Sequence, residues 1–235
     1  MRSLIIVAAL AAGACSSHAQ EGSGVLAQRD FPVEGFDRVA LAGSHDVVVR
    51  VGGATSVRAE GSAEALDRLD IRVADGQLRI GSRGHGGWGW SRRGRSVTVF
   101  VTVPSLAAAA VTGSGDLRID RADTNSFSGA VAGSGDLRID TLRAREANFS
   151  VTGSGNLHAA GSASQAKVSV SGSGNADLAG FDSQDAEVRV TGSGNASLRA
   201  TQTAEVTVMG SGDVAITGGA RCSVTKRGSG GVRCA

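Results

Sequence analysis

Residues 147–159 read Ala-Asn-Phe-Ser-Val-Thr-Gly-Ser-Gly-Asn-Leu-His-Ala. The pattern returns at 166–178 as Ala-Lys-Val-Ser-Val-Ser-Gly-Ser-Gly-Asn-Ala-Asp-Leu, and at 186–198 as Ala-Glu-Val-Arg-Val-Thr-Gly-Ser-Gly-Asn-Ala-Ser-Leu. Working outward, Gly-Ser-Gly triplets begin at residues 113, 133, 153, 172, 192, 210 and 228, a spacing of 18 to 20 residues. A fixed period near that length marks a solenoid, in which each repeat is one coil stacked on the last.

The residues around each triplet say how a coil is built. Two positions before the first Gly stand Val111, Val131, Val151, Val170, Val190 and Val208, with Lys226 breaking the column. Four before it stand Ala109, Gly129, Phe149, Val168, Val188, Val206 and Val224; six before it, Ala107, Phe127, Ala147, Ala166, Ala186, Ala204 and Cys222. The intervening residues are mostly small or polar. Alternation at period two is a strand with one buried face. After the triplet, Leu117, Leu137, Leu157, Ala176, Ala196, Val214 and Val232 begin a second such strand. Ile119, Ile139, Ala159, Leu178, Leu198, Ile216 and Cys234 continue it two residues on. Each coil is therefore expected to have a strand, a tight corner, a second strand and a charged return loop. The fold class is all-β, a parallel β-helix of about 20-residue coils, with right-handed the expected hand.

Turn chemistry accounts for the corner. Gly reaches positive φ without a Cβ penalty. Asp116, Asp136, Asn156, Asn175, Asn195 and Asp213, which follow the triplets, suit hydrogen bonding to nearby backbone. Stacked, they form a polar ladder. The sharper alternative is a calcium roll of the G-G-x-G-x-D kind. The period does not divide into nonapeptides, and three of the six ladder residues are neutral Asn rather than the anionic oxygens Ca²⁺ favours. No metal and no cofactor are expected.

The N-terminal part reads as a less regular version of the same fold. Gly43-Ser44-His45-Asp46 is a worn corner, with Val39 and Leu41 before it and Val47 and Val49 after; Asp37 departs from the outermost inward column. Ser62 is placed to cap a short helical turn over 63–66. Ile71, Val73, Leu78 and Ile80 alternate about Asp75-Gly76, a two-residue hairpin signal. Val97, Val99, Val101 and Val103 form a strand that Pro104 ends. A single elongated domain over 31–235, its regular repeats at 107–235, follows a linker at 20–30.

The first residues read as an export signal: Arg2, an apolar stretch from Leu4 to Ala12, then small residues. Two schemes stay open. Residues 1–19 are removed after Ser17-His18-Ala19, or residues 1–14 are removed and Cys15 becomes the lipidated first residue of a lipoprotein. Either leaves Cys222 and Cys234 as the thiols of the folded part. In an exported chain they should pair, since both fall in inward columns flanking the same corner. Such a bridge would contribute about 3 kcal/mol by loop closure.

One segment stands apart: Arg83-Gly-His85-Gly-Gly-Trp88-Gly-Trp90-Ser-Arg92-Arg93-Gly-Arg95 carries both tryptophans of the chain and no acid. Its bland reading is a solvated Gly-rich loop. Its functional reading is a contact loop, with Trp88, Trp90, Arg83, Arg92, Arg93 and Arg95 stacking on sugars or gripping anionic groups. No catalytic constellation is legible. The histidines, 18, 45, 85 and 158, share no derivable neighbourhood, and Asp120 and Asp140 lie beside Arg118 and Arg138, as a surface charge lattice would. With 24 Lys and Arg against 22 Asp and Glu, the net charge of +2 points to neither nucleic acid nor a membrane surface.

Phe36-Asp37-Arg38-Val39 followed by Gly-Ser-His-Asp, Val-Thr-Val-Pro at 101–104, the repeated Gly-Ser-Gly-Asx corners and the closing Cys222…Gly-Ser-Gly…Cys234 resemble a bacterial family, the auto-transporter adhesins with a head GIN domain. The resemblance covers about residues 30–235. It implies an exported β-helical envelope protein, periplasmic or at the outer membrane or cell surface, and supplies no catalytic residues. The favoured function is a non-enzymatic binding or structural module, with an anionic glycan or cell-surface component as partner and any membrane contact through the lipid anchor. A glycan-processing lyase or hydrolase and a self-assembling scaffold are the alternatives.

Overall fold

The computed structural model of the protein describes residues 26–83 and 97–235. The export signal with Cys15, and the loop residues Trp88, Trp90, Arg92, Arg93 and Arg95, lie outside the described residues; Arg83 lies within them, exposed. The first part comprises β1 (Leu26–Phe31), β2 (Arg38–Gly43), β3 (Asp46–Val51), β4 (Ser56–Ser62), α1 (Ala63–Asp67), β5 (Leu69–Ala74), β6 (Gln77–Ser82) and β7 (Thr98–Val103). The repeats supply β8 (Ala108–Gly113), β9 (Leu117–Ile119), β10 (Ala122–Gly133), β11 (Leu137–Gly153) and β12 (Asn156–Gly172). They continue through β13 (Asn175–Gly192), β14 (Ala196–Gly210), β15 (Val214–Thr217), β16 (Arg221–Arg227) and β17 (Val232–Cys234).

All 17 strands join in one hydrogen-bonded sheet, wound into a β-solenoid of about six turns of stacked parallel strands. Parallel pairing brings like onto like. Val111 stacks on Val131, then Val151, Val170, Val190 and Val208 in an unbroken column, all buried. Phe149 sits beside Gly129, where the missing side chain leaves room for its ring. Burying each such Val or Leu contributes roughly 1.5–3 kcal/mol. The columns therefore stabilise the stack in proportion to its length, with few aromatics needed.

The expected charged return loop is instead a third strand segment. β10 to β14 run continuously through it, with Ala122 paired to Leu142, Leu142 to Gly161 and Gly161 to Phe181. Its own inward column, Ala122, Leu142 and Phe181, is buried, and the Phe181 ring meets Phe149 edge-on at 5.4 Å. Only bulges, such as that between Ile139 and Leu142, mark the bend. Charges on the outward side, Asp182 paired with Arg199 at 2.8 Å among them, obscured the alternation in the sequence.

At the corner, the first glycine of every triplet, and Gly43 with them, has φ between +110° and +137°. The third glycine is needed for a different reason. A Cβ on Gly135, Gly155, Gly174, Gly194, Gly212 or Gly230 would overlap the carbonyl oxygen of the third glycine of the coil before. The backbones touch. His45 takes the third position in the worn corner, where Gly115 packs on its backbone. The Asx residues then tie one coil to the next. The backbone N–H groups of Asp136, Asn156, Asn195, Asp213 and Gly231 donate to the Oδ1 of Asp116, Asp136, Asn175, Asn195 and Asp213, at 2.6–3.1 Å. The side-chain amides of Asn156, Asn175 and Asn195 donate along the same row at 2.9–3.0 Å. Only an amide can donate as well as accept, which is the reason for Asn mid-ladder.

In the N-terminal part the order in space differs from the order in sequence. β2 lies between β6 and β8, and β3 between β7 and β9. The coil made by β6 and β7 is therefore outside the coil made by β2 and β3, although it comes later in the chain. β4 and β1 extend the sheet beyond β7 in antiparallel fashion, and β5 flanks β6. β1 begins at Leu26, inside the stretch that the sequence assigns to a linker. The helical turn and hairpin occur as expected: Ser62 caps α1 by accepting from the Ala65 N–H, and Asp75 and Gly76 have φ of 52° and 71°.

The other end is closed differently. Cys222 and Cys234 form the expected disulfide, with Cα atoms 6.5 Å apart. Val224 is 46% exposed because no coil covers it. Arg221, Lys226, Arg227 and Arg233 surround this edge, and no acid follows Asp213. A cationic rim of this kind disfavours end-to-end strand pairing.

Two stability outcomes follow from this packing. Gly155→Ala should cost about 3 kcal/mol or more, because its Cβ would also stand 2.8 Å from Val131 Cγ1. Gly35→Ala, with φ +75° and nothing within 4 Å, should cost only about 1 kcal/mol; equal costs in chemical denaturation would refute the packing account. Replacing Cys222 and Cys234 with Ser should lower the unfolding free energy by about 3 kcal/mol, read in the same experiment.

Candidate functional site

The corner row runs down one edge of the solenoid. β6 pairs in parallel with β2 from Arg38↔Gln77 to Leu41↔Ile80, and β7 with β3 from Asp46↔Thr98 to Val51↔Val103. Where β2 and β3 are joined by Gly43-Ser44-His45, β6 and β7 are joined by the segment holding both tryptophans and four arginines. That segment connects the two strands of the outermost coil, and its residues 84–96 lie outside the described residues. Beneath its first end, His45 Nε2 lies 2.8 Å from Ser82 Oγ. Burial holds His45 below the ordinary histidine range, against the pull of the Asp46 carboxylate. Among the described residues, none lies within 4 Å of the Cβ position of Gly43.

The outward rows on the strands after the corner carry the charge. Arg118 donates to Asp140 through Nε and Nη2 at 3.1 and 2.8 Å, and Arg138 donates through Nε at 3.0 Å. Burial works to raise the Asp140 pKa, but the two guanidiniums outweigh it and hold the carboxyl below its usual value. This is the expected charge lattice. Asp120 is occupied otherwise, accepting the Val51 and Arg121 N–H groups.

Further along the same row come His158, Asp177 and Ser197 on three successive coils. His158 Nδ1 lies 3.1 Å from Asp177 Oδ2, and Ser197 Oγ donates to Asp177 Oδ1 at 3.0 Å. Burial raises the Asp177 pKa, while hydrogen bonds from Ser197, the Ala179 N–H and His158 lower it further and prevail. The residue types are those of a hydrolase triad, but the order is wrong. A triad needs His between Ser and Asp, so that its second nitrogen can take the hydroxyl proton; here the carboxylate is in the centre. Among the described residues no group of three His, Cys, Asp or Glu is disposed as a metal site. None of the described helices is long and apolar enough to cross a membrane.

Of the sequence-derived site residues, the structure joins Cys222 to Cys234 and places Arg83 exposed at the end of β6. The same sheet face holds a groove that the sequence reading passed over. Phe100 points outward from β7 between the buried Val99 and Val101. An aromatic at an outward position of a regular alternation was the available signal.

The fold and corner row place the protein among known relatives. The family model described as "Putative auto-transporter adhesin, head GIN domain" matches residues 35–220, and the chain belongs to that family. A crystal structure of a putative adhesin from Bacteroides fragilis is similar with a TM-score of 0.81 at 21% identity, covering 89% of this chain and 97% of that one. A putative lipid binding protein from Parabacteroides distasonis is similar with a TM-score of 0.70 at 21% identity, covering 91% and 98%. A putative adhesin from the same organism gives 0.68 at 22%, covering 91% and 98%. These likenesses carry the fold alone. No curated protein matches the chain.

The charge lattice has a pH signature. Because the Asp140 pKa is depressed in the folded state, its stabilising effect is complete above the unfolded value of 3.8 and is lost as pH falls through the lower folded value. Asp140→Asn should therefore lower Tm by about 2 °C near neutral pH, and by progressively less as the pH falls below the unfolded value. A Tm difference that persists in acid would contradict this.

Proposed function

We propose that this protein is an exported, non-enzymatic binding module of the bacterial cell envelope. Its contact element is the segment that connects β6 to β7, and its partner an anionic glycan of the cell surface. The observation that supports the reading is the composition of the connection between β6 and β7. Seven corners carry Gly-Ser-Gly triplets, whereas this connection in the outermost coil carries both tryptophans and four arginines. Trp88 and Trp90 offer stacking faces for sugar rings, and Arg83, Arg92, Arg93 and Arg95 offer planar cations for carboxylate or phosphate.

Membership in an adhesin-named family supports export or surface display and a binding rather than catalytic role. The paired carboxylates that a glycoside hydrolase would need are otherwise engaged, Asp140 by two guanidiniums and Asp120 by two backbone N–H groups, which supports the same choice. The cationic rim of the last coil, and the antiparallel strands that cover the other end, argue against a self-stacking scaffold. Anchoring through Cys15 would hold the protein at a membrane surface, and release after residue 19 would leave it in the periplasm.

Purified residues 20–235 should bind saturably to a panel of bacterial glycans, lipopolysaccharide and peptidoglycan. Changing Trp88 and Trp90 to Ala should weaken that binding about tenfold or more, with the thermal unfolding unchanged. Equal binding by both proteins would remove the loop from the account.

A further inference from the structure

On the outer face of the sheet, a groove of about 410 Å³ is lined by Asp30, Val48, Arg50, Ser56, Arg58, Phe100, Val101 and Thr102. It is built by four strands in fixed register. Asp30 of β1 faces Arg58 of β4, Arg58 faces Phe100 of β7, and Phe100 faces Val48 of β3. One step along the strands, Ser56 faces Thr102 and Thr102 faces Arg50. Five of the chain's six phenylalanines are buried or packed against the core. Phe100 is the exception, half-buried on the solvent side, and the core does not need it because Val47, Val49, Val99 and Val101 already fill the inner face.

The charges at the groove are not equivalent. Arg58 lies with its guanidinium carbon 5.5 Å from the Phe100 ring centroid and pairs with Glu60 at 3.3 Å. Arg118, beyond Val48, is held by Asp140 at 2.8 Å. Arg50 forms no ion pair among the described residues. An unpaired guanidinium beside an outward aromatic, with two hydroxyls between strands, is a cation, an apolar floor and hydrogen-bonding groups in one recess. Its volume is within the range of small-ligand sites.

We propose that this groove binds one carboxylated pyranose unit of a polysaccharide. The apolar face of the sugar ring rests on Phe100 and Val48, its carboxylate takes the planar donors of Arg50, and its hydroxyls meet Ser56 and Thr102. Asp30, at the far side of Arg58, admits a hydroxyl but repels a second carboxylate, so the groove takes a single acidic unit. The site rests on the reading of the protein as an anionic-glycan binding module and adds a subsite distinct from the loop. The two share a strand: Val97 ends the loop and Phe100 lies three residues on in β7.

The probe is tetragalacturonate, with the neutral galactose tetrasaccharide as its counterpart, titrated calorimetrically into the full-length protein. Wild type should bind the acidic probe saturably. Arg50→Gln should weaken that binding about tenfold or more and leave the neutral probe unaffected. Phe100→Ala should weaken both probes, and thermal unfolding should show that Arg50→Gln, a surface change, folds as wild type does. Unchanged binding in Arg50→Gln and Phe100→Ala, with loss on changing Trp88 and Trp90, overturns the groove and leaves the loop reading standing. Absence of tetragalacturonate binding by wild type overturns the groove whatever other glycans bind. Absence of binding to every glycan overturns both.

Discussion

The structure depends on backbone touching backbone at the corner. Each third glycine of a triplet lies against the carbonyl of the third glycine one coil before, too close for any side chain. This contact sets the register of the neighbouring repeat strands, because a slip of one residue would bring a Cβ into the gap and turn each inward Val outward. Register in turn places Asx over Asx, and the ladder of side-chain oxygens accepting backbone N–H groups closes the edge that the glycines leave bare. Tight corners, valine columns and the Asx ladder are three expressions of one packing condition.

That condition frees the outward rows. Inward positions are held by the columns, so the residues between them can change from coil to coil without disturbing the stack. Arg118 and Arg138 give way to His158, Asp177 and Ser197 in the same row, all supported by the same backbone. A surface of this kind offers rigidly spaced side chains along a flat face. In the row of His158, Asp177 and Ser197 three reactive residue types are adjacent, yet linear spacing puts them in an order with no nucleophile–base contact.

The two ends of the stack solve different problems. One is an open edge, and it is protected by a disulfide, by Lys226 in a column otherwise Val, and by flanking arginines. The other is covered by antiparallel strands β4 and β1 and by the β5–β6 hairpin. The strands of its outermost coil, β6 and β7, are connected in sequence by the segment that holds both tryptophans. A terminal coil is constrained by one neighbour where a middle coil is constrained by two.

Much of this was legible in the residues themselves. The period of the triplets determined the solenoid, because only a repeating coil returns Gly-Ser-Gly at such even spacing. Period-two alternation determined which side of each strand is buried. The positions of Cys222 and Cys234 in facing inward columns determined their pairing. The return segment was not legible, since its alternation of Ala122, Leu142, Gly161 and Phe181 is visible only once the coils are superimposed with their bulges. Nor was the exchange of order that puts the β6–β7 coil outside the β2–β3 coil. Strand neighbours that are distant in sequence are chosen by which edge remains open, and local pattern carries no record of that choice. The groove follows from the same exchange. Phe100, Arg50 and Arg58 lie on three strands that pair only in the folded chain, so their residue types were plain in the sequence while their meeting was decided by the tertiary structure alone.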